Sequence, residues 1–113
     1  MSTSLDDKAT PKGTMTLREA LNSKDLLVID VRSEEEYSSG HSSCAKNIPI
    51  DVFESRISEL GTDLHRPIVI HCARGMRAAT CADVAVNRGF VNAFRQTNAA
   101  QVDRLLSECK EKN

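Results

Sequence analysis

A chain of 113 residues has room for one domain with a single hydrophobic core. Its 15 basic and 16 acidic side chains nearly cancel, so no basic footprint points to a nucleic-acid partner. No apolar stretch approaches the roughly 20 residues of a membrane span.

The opening MSTSLDDKAT lacks an apolar h-region and carries two aspartates, which argues against a secretory signal or an organellar presequence. Residues 1–14, polar and containing Pro11 and Gly13, are expected to be a flexible leader, and residues 15–113 a single domain. LLVID (26–30) and PIVIH (67–71) are short apolar runs of the kind buried on both faces of a parallel sheet. Pro67 stands at the first position of its run, where it costs the ladder little. AKNI (45–48) and NAF (92–94) are weaker strand candidates.

Helix starts recur between these runs. TLRE (16–19), SEEE (33–36) and DVFE (51–54) each place a capping residue three positions ahead of a glutamate. The side-chain oxygen of Thr16, Ser33 or Asp51 can satisfy a free amide, and the glutamate favours the positive helix end. Phe53, Ile57 and Leu60 share one face, ahead of Gly61. Residues 77–88 predict a helix rich in small side chains, closed by Gly89, in which Ala78, Ala82 and Ala85 allow close approach to a sheet. Val102, Leu105, Leu106 and Cys109 form a last apolar stripe. Strands alternating with helices imply an α/β domain. The expected architecture is a central, mainly parallel sheet of about five short strands with helices on both faces.

The four cysteines, Cys44, Cys72, Cys81 and Cys109, show no C-x-x-C and no metal-ligand spacing. Free thiols in a reducing cytoplasm, with no metal, are the expected setting. Cys72 stands out by position. It follows the PIVIH strand, at the carboxyl edge of a parallel sheet, where ligands of α/β folds bind. A helix beginning near Arg77 points its unpaired amides at the same spot. Gly75 can take positive φ and let successive amides curl into a cradle, and Arg74 and Arg77 add positive charge. These features favour thiolate over thiol, so the Cys72 pKa is expected below the ~8.5 of a free cysteine. Isolated cysteines are more often small buried hydrophobes, which is the reading given to Cys81 and Cys109; Cys44, in a polar turn, reads as a spectator.

At this point the chain resembles a single-domain rhodanese of the thiosulfate sulfurtransferase family. LLVIDVRSEEEYSSGH resembles the family's Asp-x-Arg strand end, acidic helix start and Gly-His; AKNIPI, IVIHCARGMRAA and RGFVNAF resemble the segments that follow, in order. The resemblance implies that Cys72 carries sulfur as a persulfide and that Ala73, Arg74, Gly75, Met76 and Arg77 form the cradle around it. It further implies thiosulfate as a small anionic donor and cyanide or a thiol, including a protein thiol, as acceptor. No metal or organic cofactor is required. Arg77 is expected to hold the donor's sulfonate. No nucleic acid or membrane is expected as a partner.

Asp30, Arg32, Glu36 and His41 belong to the motifs, more as scaffold than as chemistry. Asp30 can accept loop amides or pair with an arginine, and Arg32 and Glu36 are expected to pair with each other. His41, after Gly40, anchors a turn. Strand alternation turns His71 away from the Cys72 side, and His65 is expected at the surface. The chain departs from the family at RQTNAA (95–100), which stands where Leu-x-Gly-Gly is usual, and at Cys44, where glycine is usual. Two other functions remain open: a phosphatase or arsenate reductase of the same fold, and a sulfur-carrier or interaction module. The oxyanion enzymes place five residues between cysteine and arginine. Here four intervene, Ala73 to Met76, which makes a tighter cradle suited to one sulfur atom.

Overall fold

The computed structural model describes residues 13–111, with residues 108–111 described by backbone alone. The expected leader therefore lies almost wholly outside the described residues, and so does the side chain of Cys109. Ten short elements follow one another. They are α1 (Leu17–Leu21), β1 (Leu27–Asp30), α2 (Glu34–Ser39), β2 (Ala45–Asn47), α3 (Ile50–Phe53), a 3-10 turn (Ile57–Leu60), β3 (Ile68–His71), α4 (Met76–Asn87), β4 (Ala93–Gln96) and α5 (Ala99–Glu111). The strands form one parallel sheet in the order β2-β1-β3-β4, with Val28 opposite Ala45 and Val69, and Ile70 opposite Arg95.

Alternation along each strand feeds two separate cores. Ile29, Ile68, Ile70 and Ala93 face α3, the 3-10 turn and α4, where Phe53, Leu60, Ala78, Cys81, Ala82 and Ala85 are buried. Val28, Ala45, Val69 and Phe94 face the other way, onto Leu17, Ala20 and Leu21 of α1 and Val102 of α5, with Leu105 and Leu106 partly buried. The expected helices on both faces are present. The alanines of α4 let that helix lie close to β3 and β4.

Among the described residues the sheet has four strands, not about five. Among residues 13–16, Thr14 N–H donates to the side-chain Oδ1 of Asn92 at 2.8 Å, and the Asn92 amide donates to Thr14 Oγ1 and to the His65 carbonyl. A buried side-chain amide thus ties Thr14 to the start of β4.

Two of the three expected capping boxes form. Thr16 and Ser33 accept the N–H of Glu19 and Glu36, whose carboxylates accept in return. The third is a correction. Helix α3 starts two residues early, after Pro49, so Asp51 lies inside its first turn and makes no cap. Pro49 presets the backbone at this start, and the first helical amide, that of Ile50, donates to the Val31 carbonyl at 3.0 Å.

Candidate active site

Cys72 follows β3 directly and is 2 % exposed. Its side chain continues the Ile68–Ile70 face, while His71 belongs to the opposite face with Val69, as strand alternation requires. The chain then turns through Ala73 and Arg74, both exposed, to Gly75. Gly75 caps α4 in the left-handed region, φ 102° and ψ −18°. That conformation is cheap only for glycine, and it turns the Gly75 N–H onto Cys72 Sγ at 3.0 Å. Ala78 N–H, in the first turn of α4, donates to the same sulfur at 3.3 Å. Both amides belong to the start of a 12-residue helix, where they have no carbonyl four residues back to satisfy. Negative charge on this sulfur meets two fixed N–H dipoles and the positive end of α4.

Cys81 shares the core but not this setting. It lies in the second turn of α4, 1 % exposed, and burial pushes its thiol up to about 12, with the charge of Cys72 adding to the effect. Cys44 is exposed and precedes β2 at the amino edge of the sheet, whereas Cys72 leaves β3 at the carboxyl edge. Its Sγ contacts Ser42 Oγ at 3.2 Å, and Ser42 donates to Asp103 of α5 at 2.6 Å.

The two loop arginines differ. Arg77 is bound: its Nη1 and Nη2 donate to the Glu36 carboxylate at 2.8 and 3.1 Å, tying the first turn of α4 to α2. This hydrogen bonding, with the Ser33 N–H on the same carboxylate, lowers the Glu36 pKa from its ordinary 4.5 to about 2, and Glu36 in turn raises that of Arg77. Arg74 is exposed and has no ion-pair or hydrogen-bond partner among the described residues. The expected Arg32–Glu36 pair does not form. Arg32 instead grips the buried Asp30 carboxylate through Nε and Nη2 at 2.8–3.0 Å and reaches the Gly40 carbonyl. Asp30 is fully buried two residues away and takes the nearer guanidinium, which leaves Glu36 to the arginine on α4. Asp30 also accepts the Arg32 N–H, so it both pairs and holds a loop amide, as expected.

His41 anchors its turn: Nδ1 lies 2.8 Å from the Tyr37 carbonyl and the ring stacks on Tyr37 at 3.6 Å. His65 is exposed. The expected site thus divides into Cys72 with its 73–77 loop, and a clamp of Asp30, Arg32, Glu36 and Arg77 beside it.

Sequence reasoning named Asp30 and His71 but missed that they join Asn47 and Gln96 in one row of polar groups. Asn47, Asp30, His71 and Gln96 are register partners across the carboxyl end of the sheet. Both His71 ring nitrogens and the Gln96 amide atoms are buried with no partner among the described residues, and burial lowers the His71 pKa. The available signal was their shared place at the last position of each strand.

The divergent segment RQTNAA lies against the loop. A Cβ on Gly75 would come within 3.8 Å of the Thr97 Cα. Asn98 Oδ1 accepts the Gln101 N–H at 2.9 Å and Gln101 Oε1 accepts that of Thr97, so a side-chain cap starts α5 where the family uses glycines. Among the described residues no helix is long and apolar enough to cross a membrane, and no group of three or more His, Cys, Asp or Glu is placed to hold a metal.

The family model described as Rhodanese-like domain matches residues 14–98. Among solved structures, the human single-domain sulfurtransferase is 28 % identical with a TM-score of 0.58, over 74 % of this chain and 82 % of that one. The Escherichia coli rhodanese with anions is 26 % identical with a TM-score of 0.57, over 66 % and 84 %. Curated relatives include the tRNA uridine(34) hydroxylases of Buchnera aphidicola, 25 % identical over 82 % of this chain, and Yersinia enterocolitica, 28 % identical over 69 %. The chain spans only 33 % and 23 % of the length of those two proteins.

Proposed function

The chain belongs to the rhodanese-like domain family, and from that premise we propose that it is a sulfurtransferase working through a Cys72 persulfide. The observation that carries the reading is the pair of N–H donors from Gly75 and Ala78 on the Cys72 sulfur. The Cys72 thiolate attacks the outer sulfur of thiosulfate; the new S–S bond forms as the bond to the sulfonate sulfur breaks, and sulfite leaves with the electron pair. An acceptor thiolate or cyanide then attacks the terminal sulfur of Cys72–S–S⁻ and releases the Cys72 thiolate. The two amides face negative charge on sulfur in both steps, and they are held in place before either begins.

Because Glu36 occupies the Arg77 Nη1 and Nη2, the unpaired Arg74 is the better cation for the donor's sulfonate, and Arg77 serves to fix the loop. The remaining loop residues, Ala73 and Met76, contribute backbone and mouth. The test is steady-state turnover of thiosulfate and cyanide to thiocyanate and sulfite, alongside hydrolysis of an aryl phosphate. The reading expects the first and not the second; aryl phosphate hydrolysis without sulfur transfer would favour the oxyanion alternative.

A second reading rests on the names of the curated relatives, which concern tRNA. The chain would then supply a rhodanese-like part to tRNA modification, against the expectation of no nucleic-acid partner. The near-balanced charge offers little for tracking phosphates. A filter-binding titration with bulk tRNA at physiological salt decides between them: salt-sensitive micromolar binding supports the tRNA reading, and none removes it.

A further inference from the structure

A cavity of about 510 Å³ opens in front of the first turn of α4, between the start of α2 and α3. Its walls include Glu34 and Glu35 from α2, Asp51 and Val52 from α3, and Arg77 from α4. The three carboxylates are exposed, and none forms an ion pair among the described residues. Arg77 does not compensate them, because Glu36 already neutralises it. Arg56, whose charge Glu34 also feels, is paired with Glu59 at 2.6 Å. Val52, 37 % exposed, is an apolar side chain of these walls, and Met76, 82 % exposed, precedes the wall residue Arg77 in the cysteine loop.

We propose that this mouth receives the sulfur acceptor as a partner protein, whose reactive cysteine is flanked by lysine or arginine and by an apolar side chain. The proposal rests on the sulfurtransferase reading and adds the class of acceptor. A small dianionic donor meets the unpaired Arg74, while a free anionic thiol would approach three uncompensated carboxylates, which is unfavourable. A basic peptide gains at those same charges, and the exposed Val52 of the wall gives its apolar side chain a surface to cover. In the transfer step the partner's thiolate attacks the terminal sulfur of Cys72–S–S⁻. Its new S–S bond forms as the Cys72 S–S bond breaks, giving a partner persulfide and the Cys72 thiolate, with no oxidant or reductant consumed.

The experiment loads Cys72 with thiosulfate, removes excess donor, and follows sulfur transfer to two peptides of equal length. Each carries one cysteine and one leucine, flanked by lysines in one and by glutamates in the other. Lysine also acidifies the peptide thiol, so the readout is the lysine-to-glutamate rate ratio in the native protein divided by the same ratio in E34Q/E35Q/D51N. The intrinsic thiol reactivity cancels in that quotient. At low salt the quotient is expected on the order of tenfold, shrinking as salt screens the charges. E35Q and D51N are also measured singly, each carrying a share, so the result does not depend on the triple variant folding. Sulfur loading that proceeds normally with a quotient of one overturns the acceptor class and leaves the sulfurtransferase reading standing. Failure of Cys72 to load overturns both.

Discussion

Cys72 and Cys81 are two thiols of one core, both almost fully buried, and α4 gives them opposite chemistry. At the mouth of the helix, Cys72 Sγ accepts the N–H groups of Gly75 and Ala78. Within the helix each N–H is spent on a carbonyl, so Cys81 sits in the apolar core without such donors, and burial pushes its thiol up to about 12. Burial alone therefore makes a spectator. Burial at the helix start instead sets two N–H donors on the Cys72 sulfur, where the proposed persulfide would carry its charge.

The largest test of that contrast exchanges the thiols. Cys72→Ser is expected to reduce thiocyanate formation to background, whereas Cys81→Ser keeps most of it. Equal losses in the two variants would erase the distinction.

Gly75→Ala sharpens the contrast at the backbone. The added Cβ meets only ordinary contact with Thr97, so sterics do not forbid it. The left-handed conformation instead costs about 1–2 kcal/mol, and relaxing it withdraws the N–H from Cys72. Turnover should fall roughly tenfold or more, with little change in the Cys81 environment. Unchanged kcat would mean that the Gly75 amide does not serve the sulfur.

Arg74→Ala should raise the KM for thiosulfate by roughly twofold to fivefold at low salt, an exposed charge being worth little more, with the difference shrinking as salt is added. A larger effect from Arg77→Ala on KM, with the fold intact by circular dichroism, would return the donor contact to Arg77.

The smallest effect concerns the clamp that holds the start of α4. The Glu36 carboxyl is lowered by the Arg77 hydrogen bonds, so the stability it adds is fully present above its ordinary 4.5. That stability is lost as pH falls toward about 2. Urea midpoints of the native protein and Glu36→Gln should therefore differ at neutral pH and converge between these values. A constant difference down to pH 2 would show that the clamp is not ionic.

The sequence made the sheet legible because LLVID and PIVIH are continuous apolar runs, and it made Cys72 legible because a glycine and a helix start follow it at once. Two of three capping boxes could be read from local spacing; the third failed because Pro49 had already set the start of α3. The ion pairs were less accessible. Arg32 and Glu36 are neighbours along the chain, but the partners they take are decided by tertiary approach, of a buried Asp30 in one case and of α4 in the other. The buried row of Asp30, His71 and Gln96 depends on strand register, which a single sequence leaves open.

The claim that the α4 amides hold an anionic, transferable sulfur on Cys72 is tested most directly by intact mass. Reduced protein treated with thiosulfate and gel-filtered should gain one sulfur atom and release sulfite. Cyanide should restore the starting mass, Cys72→Ser should gain nothing, and Cys81→Ser should behave as the native chain. A native protein that gains no sulfur at any thiosulfate concentration, or a Cys72→Ser protein that still gains it, would contradict the account.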